Sequence, residues 1–141
     1  MDRVLQECTI HSYPHAFISR AGEPILVTTL NDKRSEQLVE MYLDFRPRNA
    51  FQGLPPIDDQ ACEEWARYMI AQGVNLAALS FEEGVVGHVV LFPIDNSTCE
   101  LLVVVTPLFQ NTGIGTELVR CASQLSDEIG WEQIRLSVEM V

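Results

Sequence analysis

The chain holds a single lysine, Lys33, and its nine basic residues face 20 acidic ones, for a formal net charge of -11 over 141 residues. That balance excludes the basic surface a nucleic acid or an anionic membrane would need, and it draws a cationic partner by long-range attraction. An acidic surface also serves solubility alone, so the charge is compatible with an amine substrate without requiring one. Cys8, Cys62, Cys99 and Cys121 are scattered, with no Cys-x-x-Cys pair and no histidine at ligand spacing, which leaves no zinc motif. Cys62 and Cys121 fall on the apolar faces of predicted helices, where a free thiol behaves as a small hydrophobe. The first residues carry Asp2, Arg3 and Glu7 in place of an apolar signal core. No apolar run approaches the roughly 18 residues of a membrane span. These absences predict a cytoplasmic protein in a reducing setting, with no metal, no membrane and no nucleic-acid partner.

Linkers, repeats and low-complexity tracts are missing as well, and an apolar fraction of 47% suits one buried core. Residues 1–23 read as an amino-terminal extension and 24–141 as the domain. Ile25 to Leu30 forms a β-branched strand, after which Asn31-Asp32 offers caps for a helix with Leu38, Met41, Tyr42 and Phe45 on one face. Arg46 to Pro56 reads as a loop, then Asp58 caps a helix carrying Ala61, Cys62, Trp65, Tyr68 and Met69, which Gly73 ends. Leu76 to Glu82 and Val85 to Ile94 form a hairpin around Glu83-Gly84. The next strand is Glu100 to Thr106, and another runs from Trp131 to Val138 after a helix with Leu118, Ala122, Leu125 and Ile129 on one face.

The segment between those last two strands bears on function. Val103-Val104-Val105-Thr106-Pro107 is a β-branched run stopped by proline, and Gly113 and Gly115 stand where the following helix begins. Glycines there let backbone N–H groups converge at the positive end of the helix dipole, an arrangement that favours a phosphate. A Walker loop is excluded, because Gly115 is followed by Thr116 and Glu117 and not by lysine. The dinucleotide fingerprint would need a third glycine placed immediately after the strand.

What remains is Val-x-Pro, then Gln110-x-x-Gly113-x-Gly115, then an amphipathic helix. This order resembles the pyrophosphate loop of the Gcn5-related N-acetyltransferases (GNAT). The resemblance implies an α/β (α+β) fold, with a mixed, mostly antiparallel sheet flanked by helices, and acetyl-coenzyme A (acetyl-CoA) as co-substrate. It places the coenzyme on Gln110, Asn111, Thr112, Gly113, Ile114, Gly115 and Thr116, with the backbone of Val103 and Val105 holding the pantetheine arm as an extra strand. Within it, Cys99-Glu100-Leu101 precedes Gln110 at the spacing seen in bacterial protein-lysine acetyltransferases, which makes Glu100 the general base. Ser12-Tyr13-Pro14 and the Ala21-Gly22-Glu23-Pro24 turn resemble that subgroup too. The expected reaction is acetyl transfer to a primary amine, either a small molecule or a protein lysine.

Two other readings stand beside it: a non-catalytic acyl-CoA sensor that keeps the loop, and an interaction domain that keeps only the fold. His88 is expected to be structural, since a turn flanked by Ile94 and Cys99 pairs it with Val105 on the face away from Glu100. Tyr42 and Tyr68 are expected in the core. Phe45, Phe51 and Trp65 are candidates for an acceptor groove or for core packing. The family continues with a further helix and two strands after the strand near Ile134, so the sheet is expected to end after its fifth core strand. Leu136, Val138 and Met140 alternate with Ser137 and Glu139, and the open edge of that strand predicts a homodimer.

Overall fold

The computed structural model describes residues 13–46, 48 and 55–136. One sheet carries six strands in the order of the chain: β1 (His15–Ile18), β2 (Pro24–Thr28), β3 (Val74–Ser80), β4 (Gly84–Pro93), β5 (Thr98–Val105) and β6 (Gln133–Leu136). The first five are antiparallel neighbours and β6 runs parallel to β5. The expected count of five strands is corrected to six. The extra strand is β1, four residues inside the stretch read as an extension, whose pairing of His15 with Val27 through Ile18 with Pro24 no local pattern announces. Residues 137–141, on which the rest of the last predicted strand falls, lie outside the described residues, as do Phe51 and Ser12.

Helices α1 (Asp32–Asp44) and α2 (Asp59–Gln72) cover one face of the sheet, and α3 (Ile114–Ile129) covers the other. The capping residues read from sequence are in place. Asn31 accepts from the Arg34 N–H at 2.8 Å and Asp58 from the Ala61 N–H at 2.9 Å, which satisfies donors the first turn leaves without partners. α1 buries Leu38, Met41 and Tyr42 against α2's Cys62, Ala66 and Met69 and against Ala77 and Val90 of the sheet. α3 buries Ile114, Leu118, Cys121, Ala122 and Leu125 against Val27, Leu76, Val89, Leu91 and Leu101. Gly87 lets α3 lie close, because a Cβ there would stand 3.1 Å from Leu118 and 3.3 Å from Ile114.

Tyr68 corrects an expectation. It is 61% exposed and stacks on Phe92, because the buried stripe of α2 runs through Cys62, Ala66 and Met69 and leaves Tyr68 on the flank.

The β4–β5 register is also corrected. His88 pairs with Val104, not Val105, and Phe92 pairs with Glu100, so His88 shares the face of Glu100. The cause is the turn. Asp95 accepts from the N–H groups of Ser97 and Thr98, both at 2.8 Å, and the Ile94 N–H donates to the Thr98 carbonyl at 2.9 Å. These bonds close the hairpin one residue tighter than a turn flanked by Ile94 and Cys99.

Candidate active site

The site is built where β5 ends and α3 begins. Pro107–Phe109 forms a short 3-10 turn, Asn111 takes a left-handed backbone at φ 63°, and Gly113 does so at φ 91° as the N-cap of α3. Gly113 has no side chain with which to cap. The first α-type bond of the helix runs from the Glu117 N–H to the Gly113 carbonyl at 3.0 Å, so the N–H groups of Ile114, Gly115 and Thr116 have no acceptor within the helix. Gly115 and Thr116 line a cavity of about 350 Å³ together with Val105, Gln110, Asn111 and Gly113.

Gln110 and Thr112 spend side-chain bonds on shaping the loop. The Gln110 amide donates to the Val105 carbonyl at 3.0 Å, and the Thr112 hydroxyl donates to the Phe109 carbonyl at 2.6 Å. Ile114 turns its side chain into the core.

Strand geometry decides which way Val103 and Val105 present their amides. The Thr106 N–H donates to the Val86 carbonyl at 2.9 Å, so the even-numbered residues of β5 are the hydrogen-bonded partners of β4. The N–H and C=O groups of Val103 and Val105 therefore point the other way, toward β6. Pairing with β6 is described from Thr98 with Gln133 to Leu101 with Leu136, and no described strand pairs with this edge of β5 beyond Leu101. Glu100, third in β5, has Phe92 beside it on β4 and Arg135 beside it on β6, and it sits just before that open stretch.

A second hollow, of about 450 Å³, opens on the α1 face between the end of α1 and Pro107–Phe109. Glu40, Asp44 and Glu83 line it together with Arg46 and Phe45, and Phe109 is common to both hollows. Phe45 is thus a groove residue. Trp65 packs edge-on against Tyr42, with ring centroids 4.9 Å apart, and belongs to the core.

Two features of this region were not read from the sequence. Arg20, on the turn between β1 and β2, lines the cavity at the start of α3, and its backbone N–H donates to the Thr112 carbonyl at 2.8 Å. His15, Glu117 and Cys121 also bring ligand-type atoms within 4.8 Å of one another. No spacing rule finds that trio, since His15 and Glu117 stand 102 positions apart. It already accommodates a guanidinium. Arg120 donates to Glu117 at 2.9 Å through Nε and lies 3.2 Å from His15 Nε2, and its hydrogen bond holds the Glu117 carboxyl below the usual carboxylate range.

The chain belongs to the Acetyltransferase (GNAT) family, whose sequence model matches residues 36–140. Solved structures with the same fold include the GNAT domain of S. lividans PAT, 15% identical with a TM-score of 0.69 over 83% of this chain and 73% of that one. A GNAT-family acetyltransferase from Streptococcus pneumoniae is 16% identical, with a TM-score of 0.60 over 82% and 75%. The aminoglycoside N-acetyltransferase AAC(6')-Iy in complex with CoA is 14% identical, with a TM-score of 0.57 over 84% and 79%. No curated protein matches the sequence.

Proposed function

We propose that this protein transfers the acetyl group of acetyl-CoA to a primary amine by direct attack, with Glu100 as general base. The observation that carries this reading is a pair of backbone features. The helix-start amides without an acceptor in α3 belong to the same cavity as Val105, whose amide, like that of Val103, is turned away from β4. The pyrophosphate would rest on Gly113, Ile114, Gly115 and Thr116, where free N–H groups and the helix dipole favour an anion. The pantetheine arm would extend β5 as an added strand. The neighbouring fold of AAC(6')-Iy, described with CoA and with a bisubstrate analogue of an aminoglycoside, supports both the coenzyme and an amine acceptor.

The reaction needs the amine to lose a proton and the thioester oxygen to be stabilised as charge develops on it. Glu100 takes the proton through its carboxylate. An outward β5 amide donates to the oxygen, the amine nitrogen bonds to the acetyl carbon, the carbon–sulfur bond breaks, and the thiolate of CoA leaves with the second proton that the nitrogen sheds on becoming an amide. The acidic lining of the second hollow, with Glu40, Asp44 and Glu83 around Phe45, suits a cationic acceptor such as a small amine or a protein lysine. The outer edge of β6, unpaired among the described residues, supports a homodimer.

The test is to measure CoA binding and thiol release together against a panel of amines. Binding with amine-dependent thiol release supports the enzyme. Binding without release from any amine would identify a sensor, and no binding would leave only the fold.

A further inference from the structure

We propose that Arg20, outside the loop and outside the residues matched by the family model, is the side-chain ligand of the coenzyme pyrophosphate. This rests on the reading of the loop as the coenzyme cradle. The turn that carries Arg20 is built tightly: the Ser19 N–H donates to the Glu23 carbonyl at 2.8 Å and the Gly22 N–H to the Ser19 carbonyl at 2.9 Å. The buried Ser19 hydroxyl accepts from the Glu23 N–H at 3.3 Å. The Arg20 N–H then hooks this turn to Thr112, the residue before the N-cap glycine of α3. As a result the Arg20 side chain runs beside Gly113. A Cβ on Gly113 would meet Arg20 Nε at 3.5 Å and Cγ at 3.7 Å.

Arg20 is also the one basic residue among the described residues that lines this cavity. Arg48, Arg67 and Arg120 each form an ion pair with a carboxylate, whereas no carboxylate among the described residues pairs with Arg20. In a chain with 20 acids to nine bases, a guanidinium kept clear of acids at the mouth of an amide cradle is placed for an anion. The planar donor fork matches phosphate oxygens, and the helix amides serve the remaining oxygens. Gly113 has a second role here, since any side chain at that position would contact Arg20.

The test is calorimetric titration of CoA and of dephospho-CoA, which lacks the 3'-phosphate, into the wild type, Arg20→Ala, Arg20→Lys and Gly115→Glu. Arg20→Ala removes an exposed side chain and leaves its backbone bond to Thr112, so its melting temperature is expected to match the wild type. Its affinity should fall on the order of 10- to 100-fold, by the same factor for both ligands, with Arg20→Lys between it and the wild type. A folded Arg20→Ala protein with wild-type affinity, beside a Gly115→Glu protein that has lost binding, would overturn this role for Arg20 and leave the cradle standing. A loss seen with CoA but not with dephospho-CoA would overturn the pyrophosphate assignment. A wild type that binds neither ligand would overturn the cradle and this proposal together.

Discussion

Tyr42 donates its hydroxyl to Nδ1 of His88 at 2.6 Å, deep between α1 and the sheet. The direction follows from a third residue. The Asn75 amide nitrogen donates to the carbonyls of Met69, Ile70 and Gly73, at 3.1, 3.3 and 3.0 Å, so its oxygen must face His88 Nε2 at 2.7 Å. Nε2 therefore carries the proton and Nδ1 is the acceptor. The three side chains tie α1, the start of β3 and the middle of β4 together, and the Tyr42 bond to Nδ1 requires a neutral imidazole.

That neutrality sets a pH dependence. Burial lowers the pKa of His88 from 6.5 to about 3. Above pH 6.5 neither the folded nor the unfolded chain binds a proton at this site; below it, the unfolded chain does and the folded chain does not. His88 therefore contributes stability that is complete above pH 6.5 and declines toward pH 3, by about 1.4 kcal/mol per pH unit. Urea midpoints should show a loss of about 2 kcal/mol between about pH 6.5 and 5. Asp59 and Glu117, held below the usual carboxylate range by Arg48 and Arg120, begin to lose their own contributions only nearer pH 4. A flat profile across the window would mean that the imidazole takes a proton in place.

Tyr42→Phe removes the donor and leaves Nδ1 buried without a partner, a change expected to cost about 1–3 kcal/mol. Thermal denaturation checks it. CoA affinity should be unchanged, because Tyr42 belongs to the α1 face and the cradle to the end of β5.

Gly115→Glu tests the cradle more cleanly than a change at Gly113. Gly113 sits at φ 91°, where any side chain is strained, so its substitution mixes folding with binding. A Cβ at Gly115 meets only Val105, at 3.6 Å, and the position is already helical. The added carboxylate should reduce CoA affinity about 100-fold or more with little change in melting temperature. Unaltered affinity would move the pyrophosphate elsewhere.

Glu100→Gln keeps the shape of the side chain and removes the proton acceptor. Turnover with a working amine is expected to fall about 100-fold or more while acetyl-CoA affinity stays within about twofold. Steady-state kinetics beside calorimetry separates the two, and equal turnover would assign the base to another group.

The cradle was legible because its determinants are local: a proline ending a strand, two glycines and an amphipathic helix lie within consecutive residues. Helix boundaries were legible for the same reason, through Asn31, Asp58 and Gly73. The β4–β5 register was not, because it hangs on the Asp95 carboxylate, and one residue of slip moved His88 to the opposite face. Arg20 and β1 were hidden for a different reason. Arg20 and His15 meet Thr112 and Glu117, about a hundred positions away, in a long-range contact that no local pattern shows, and the four residues of β1, though paired with nearby β2, carry too little alternation to be read as a strand.

That long-range contact predicts that the loop at the start of α3 is completed late in folding. His15 with Glu117 and Arg20 with Thr112 close loops that span most of the chain, so the amides at the start of α3 are expected to be held from both sides only after the first hairpin has docked. Occupancy and docking are then linked equilibria. Coenzyme should slow amide hydrogen exchange in Arg20 and along β1, and unfastening the hairpin should shorten the residence of the coenzyme without touching a single residue of the loop.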